Sequence, residues 1–94
     1  MRVRWLRTAL RNLEDEAAYI AIEDPKAARL VVERVLQAIE NLTHQPGLGR
    51  PGRVPGTREL VVLKTRYIVP YRVQKESIEI LRVFHTSRRP PQRW

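Results

Sequence analysis

Between Arg58 and His85 the chain passes through three stretches rich in Val, Ile, Leu and Tyr, separated by short polar breaks. Arg58–Leu63 leads through Lys64-Thr65-Arg66 into Tyr67–Val73, and Gln74–Ser77 leads into Ile78–His85. Strand-forming runs joined by connections this short are expected to form an antiparallel meander, and a meander constrains everything around it. One of its faces must be covered by apolar side chains from elsewhere in the chain. In the middle run Tyr67, Val69, Tyr71 and Val73 alternate with Ile68, Pro70 and Arg72. Pro70 has no N–H to give a ladder, so it predicts a bulge or a break in pairing at that point. In the last run either face can turn inward, with Ile80 the favoured core residue.

The cover is expected from residues 1–44. Met1, Val3 and Trp5 alternate with Arg2 and Arg4, which predicts a short strand added to the later sheet. A helix is expected from about Thr8 as N-cap, with Leu6, Leu10, Leu13, Ala17 and Ile20 facing inward and Arg11, Asn12, Asp15 and Glu16 facing water. Asp24-Pro25 then opens a second helix, with Asp at the N-cap and Pro at the first helical position. Its inward stripe is Ala28, Val31, Val32, Val35, Ile39 and Leu42. The result is an α+β fold, an N-terminal strand and a helical hairpin packed on a small, mainly antiparallel sheet. With 94 residues the chain reads as one domain, its residues 86–94 forming a basic, proline-stiffened tail.

Residues 44–56 hold all four glycines and three of the seven prolines. The glycines match no phosphate-cradling loop and are expected to permit a tight return from helix to sheet, leaving Arg50 and Arg53 exposed as partner contacts. The absence of cysteine excludes disulfides and thiolate metal sites, and His44 and His85 without a third ligand give no metal site, so no cofactor is expected. Nothing resembles a signal segment or a membrane span, which makes the cytoplasm the expected compartment and leaves the membrane out as a partner.

Charge is distributed unevenly. Residues 1–45 are neutral, whereas residues 46–94 carry eleven basic residues against Glu59, Glu76 and Glu79, and fifteen of the eighteen cations are Arg. Arg suits planar, two-point contact with phosphates and carboxylates, so this half is expected to meet nucleic acid or an acidic protein segment.

The order of these parts resembles the ParE/RelE superfamily of type II toxin–antitoxin toxins. The matching segments are Ala17–Ile39, Pro46–Val62, Tyr67–Val73 and Ile78–Arg88. The resemblance implies a growth-arresting toxin, of the kind that stabilises plasmids, and an acidic cognate antitoxin that folds over it. It also implies one of two targets. RelE-like members cleave mRNA in the ribosome with basic and imidazole side chains on the sheet; here those would be His85 as acid or base, Arg82, Arg66 and Glu59. ParE-like members poison DNA gyrase without such a set. RelE-like toxins carry an arginine in an Arg-Leu-Val-Tyr run, and registering that run on Val69-Pro70-Tyr71 puts Ile68 in its place, with Arg66 two positions earlier. That departure favours a non-enzymatic ParE-like gyrase poison, with Arg82, His85, Arg88, Arg89, Arg93 and Trp94 facing the target. Against the ribonuclease alternative, His85 at a strand end and Glu59 opposite a cross-strand Arg also have plain structural roles.

Overall fold

A computed structural model describes residues 1–87 and Trp94. Strand β1 (Arg2–Trp5) leads into helices α1 (Arg7–Ala21) and α2 (Pro25–His44). Strands β2 (Arg50–Pro51), β3 (Arg58–Val61), β4 (Tyr67–Val73), β5 (Ser77–Ile80) and β6 (Phe84–His85) follow. The sheet order is β1-β5-β4-β3-β2, with β6 paired to the rest of β4. Among the described residues only the β1/β5 pairing is parallel; the meander itself is antiparallel.

The expected hairpin forms, with corrections at the start of α1 and along its faces. Its N-cap position is Leu6, which offers no side-chain cap, and helix begins at Arg7 rather than after Thr8. The inward residues are Ala9 and Leu13, whereas Leu10 is 46% exposed. Asn12 and Glu16 are not solvent residues either. Asn12 accepts the Val83 N–H at 3.2 Å, and Glu16 accepts the Tyr67 hydroxyl at 2.8 Å, so both tie the helix to the sheet. At α2 the sequence reading holds: Asp24 Oδ1 accepts the Ala27 N–H at 3.0 Å, Pro25 opens the helix, and Ala28, Val35, Ile39 and Leu42 are buried.

The core lies between the hairpin and one face of the sheet, where Leu60, Val62, Tyr67, Val69, Tyr71, Ile78 and Ile80 meet Ala9, Leu13, Val35, Ile39 and Leu42. Pro70 sits where the ladder changes partner. Its carbonyl accepts the Leu81 N–H at 2.9 Å, and the edge of β4 pairs with β5 on one side of it and with β6 on the other. The expected single run Ile78–His85 is therefore two strands, because Pro70 accepts from Leu81 but has no N–H to give back to the 81–83 segment.

Loop 45–57 is fastened from below. The buried Tyr71 hydroxyl donates to the Pro46 carbonyl and accepts the Gly49 N–H, both at 2.8 Å, while Arg58 Nη1 donates to the Gly49 carbonyl at 2.7 Å. Gly49 lies so close that a Cβ there would come within 2.6 Å of the Tyr71 ring. Burial raises the Tyr71 phenol above its ordinary value, and the Gly49 N–H and the Arg58 charge offset part of that rise.

Candidate target-facing surface

Alternation along the strands turns a second set of side chains away from the helices. Cross-strand register puts Arg4, Glu79 and Arg72 on that face, together with Pro70, Glu59 and Arg50 and the Ile68/Phe84 pair. No helix covers it, yet Glu59 is only 3% and Ile68 only 5% exposed. The cover is supplied by the loop and by Trp94.

Glu59 takes the Arg53 backbone N–H at 2.9 Å, Arg53 Nε at 3.0 Å, and Arg53 Nη2 and Arg50 Nη2 at 3.3 Å each. The Arg53 guanidinium also lies 5.5 Å from the centre of the Phe84 ring and 5.7 Å from that of Trp94, within cation–π range. Phe84 and Trp94 stack with centroids 5.5 Å apart and planes 26° apart, and Trp94 Nε1–H donates to Thr57 Oγ1 at 3.2 Å. Thr57 in turn closes its own turn by donating to the Val54 carbonyl.

Burial alone would raise the Glu59 carboxyl, but the Arg53 side chain and backbone and Arg50 outweigh it and hold the group below its ordinary value. The sign of the linkage follows from that direction. A carboxylate depressed in the folded state stabilises the fold at neutral pH, and the contribution disappears as pH falls from the unfolded carboxylate range through the lower folded value. The urea midpoint of the wild type should therefore fall more steeply below about pH 5 than that of Glu59→Gln. Parallel pH profiles for the two proteins would show that Glu59 contributes nothing through its charge.

The residues named from sequence are only partly brought together. Arg53 and Trp94 meet Phe84, which the sequence reading missed as a platform, and Arg50 joins them through Glu59. Arg50 and Arg53 are exposed as expected, with side chains 54% and 38% accessible, and each is also engaged with Glu59. His85 points the other way, edge-on to Tyr67 with centroids 5.2 Å apart, and its Nδ1 accepts the Ser87 N–H at 3.1 Å. Arg66 lies in the β3–β4 turn, where its carbonyl accepts the Thr86 N–H. Arg82 stands in the 81–83 segment between β5 and β6, and among the described residues its buried Nε has no acceptor. Arg88, Arg89 and Arg93 lie outside the described residues. Among the described residues no group of His, Cys, Asp and Glu is arranged to hold a metal ion, and no helix is long and apolar enough to cross a membrane.

A helical hairpin packed on one face of a mixed sheet matches the fold of the ParE/RelE toxins. The solved chromosomal ParDE system from P. aeruginosa superposes with a TM-score of 0.79 at 30% identity, over 90% of this chain and 95% of that one. The RelBE2 toxin–antitoxin complex from Mycobacterium tuberculosis gives 0.61 at 30% identity, over 89% and 95%. The family model of the ParE toxin of type II toxin–antitoxin systems matches residues 3–90. Y4kP of Sinorhizobium fredii (strain NBRC 101917 / NGR234), named as a candidate toxin, is 46% identical over 91 residues, which is 97% of this chain and 94% of that protein. The chain belongs to the ParE toxin family of type II toxin–antitoxin systems.

Proposed function

We propose that this toxin inhibits DNA gyrase and is neutralised by a cognate antitoxin. The observation that carries the choice of target is the dispersal of the side chains a ribonuclease would need. Glu59, the candidate base, is buried and committed to Arg50 and Arg53. His85 turns toward Tyr67 while its neighbour Phe84 takes the open face. Ile68, which occupies the position of the RelE-like arginine, is buried on that same face. With Glu59 held by two arginines on the open face and His85 turned to the opposite side of the sheet, the two candidate groups of an acid–base pair do not face a common site, which favours the non-enzymatic reading.

The antitoxin reading is favoured by the family and by the apolar surface left on the hairpin side. Leu48, Val61 and Leu63 are exposed beside Ala38 of α2, along a groove of about 230 Å³ that Arg34 and Lys64 flank. An acidic segment that folds on binding would bury apolar side chains there and pair its charges with those two cations.

The competing reading is separated by one substitution. With gyrase as target, His85→Ala should leave growth arrest within a few-fold of wild type. With RNA as substrate and His85 as acid or base, the same change should lower activity by ~10²–10⁴-fold. Growth arrest titrated by inducer level, with toxin abundance measured alongside, reads the difference.

A further inference from the structure

The open face of the sheet carries two copies of one arrangement, a buried glutamate holding two arginines. In β1, β5 and β4 the register aligns Arg4, Glu79 and Arg72. Arg4 Nη1 reaches Glu79 Oε2 at 3.3 Å, and Arg72 Nε reaches Oε1 at 2.9 Å with Nη2 on the same oxygen. Arg50 and Arg53 hold Glu59 in the same manner. The carboxylates are 9% and 3% exposed, whereas the four arginine side chains remain 38–70% exposed.

Stability is a weak reason for such clusters. Withdrawing a carboxylate from water largely cancels what the pairing returns, and an apolar pair would serve the sheet equally well. What the pairing does secure is orientation. A guanidinium fixed through Nε and Nη2 presents its remaining N–H groups outward in a set plane, so little further order is lost when they meet an anion. Four cations on two carboxylates also leave the face positively charged.

We propose that this face binds the phosphate backbone of duplex DNA through Arg4, Arg72, Arg50 and Arg53, so that the toxin touches the DNA in the gyrase complex as well as the enzyme. The inference rests on the gyrase reading. A backbone fits better than an acidic peptide because a folding peptide needs apolar pockets between the charges. On this face Ile68 and Pro70 are buried. Of the exposed apolar residues, Leu48 and Leu63 line the groove beside α2, whereas Val61, paired with Ile68, stands on this face beside the Phe84 end. Fixed planar donors with little apolar surface between them suit regularly spaced phosphates.

The test is anisotropy of a fluorescein-labelled duplex titrated with the purified full-length toxin at several salt concentrations, without gyrase. Affinity should fall with salt, and Arg4→Gln/Arg72→Gln should weaken binding about tenfold or more and flatten the log–log salt slope by ~2. Lys26→Gln/Arg29→Gln, which removes the same charge from exposed α2 positions, should leave that slope unchanged. Arg72→Lys keeps the charge but not the two-point pairing, and should weaken binding several-fold with an unaltered thermal transition, which covers the case of a misfolded double variant.

Equal losses from both double variants would reduce the effect to diffuse charge and overturn the proposal. So would wild-type DNA affinity in a sheet-face variant that has lost its antitoxin, or a preference for single-stranded RNA. Gyrase inhibition without any duplex binding removes this surface and leaves the gyrase reading standing; duplex binding that depends on these arginines, with gyrase unaffected, does the reverse.

Discussion

Tyr71→Ala should cost about 3–5 kcal/mol, which for a chain of this size is most of its stability. The ring is fully buried between the hairpin and the sheet, and its hydroxyl is the post to which loop 45–57 is tied at Pro46 and Gly49. Truncation therefore opens a large cavity and also strands the buried Gly49 N–H. Tyr71→Phe separates the two effects: it keeps the ring and loses only the ties, for an expected ~1–3 kcal/mol. Urea unfolding followed by far-UV circular dichroism gives both values. A Phe variant as damaged as the Ala variant would mean that the loop ties, not the packing, dominate. A Phe variant indistinguishable from wild type would mean that the loop is held without Tyr71.

Removing residues 86–94 should abolish growth arrest while the fold and antitoxin binding survive. Every residue of the buried core precedes position 86, so the hairpin and the sheet keep their contacts. What is lost from the described structure is the Trp94 stack on Phe84 and Arg53 and the hydrogen bonds of Trp94 to Thr57, Thr86 to Arg66 and Ser87 to His85, each worth ~0.5–1.5 kcal/mol. The deletion also removes Arg88, Arg89 and Arg93, three of the cations proposed to face the target. Co-purification with the antitoxin and a thermal melt report on the fold, and inducible expression reports on toxicity. A truncated chain that no longer folds would make the segment structural; one that folds and still arrests growth would move the target surface elsewhere.

Much of this architecture could be read from the residues. The bounds of β4 followed from alternation between polar breaks, and Asp24-Pro25 announced α2 because the capping carboxylate and the absent N–H act locally. The partner change at Pro70 was equally visible as a missing donor, but its consequence was not, since splitting Ile78–His85 requires knowing that residues 81–83 lie opposite that proline. In α1, Leu13 and Ile20 pack into the core as their spacing predicts, whereas Leu10 does not. Ala9 is fully buried and Leu10 is 46% exposed, and hydrophobicity ranks them the other way.

The open face was the least legible part. A carboxylate at position 59 suggested a cross-strand arginine, and Arg50 is that partner. That Arg53 would turn back to the same group and lie against Phe84 and Trp94 depends on the path of a thirteen-residue loop and on a contact between residues 57 and 94. No periodicity encodes either. The Glu79 cluster likewise is completed only when β1 is added in parallel beside β5, a pairing between segments more than seventy residues apart.

Gyrase supercoiling and DNA-cleavage assays with the purified toxin, repeated with its antitoxin present, test the central claim most directly. Loss of supercoiling or accumulation of cleaved DNA, relieved by the antitoxin and retained by His85→Ala, is the predicted result. Unimpaired supercoiling at toxin concentrations that arrest growth, with mRNA cut in the same cells, would contradict it and return His85, Arg82 and Arg66 to the centre of the chemistry.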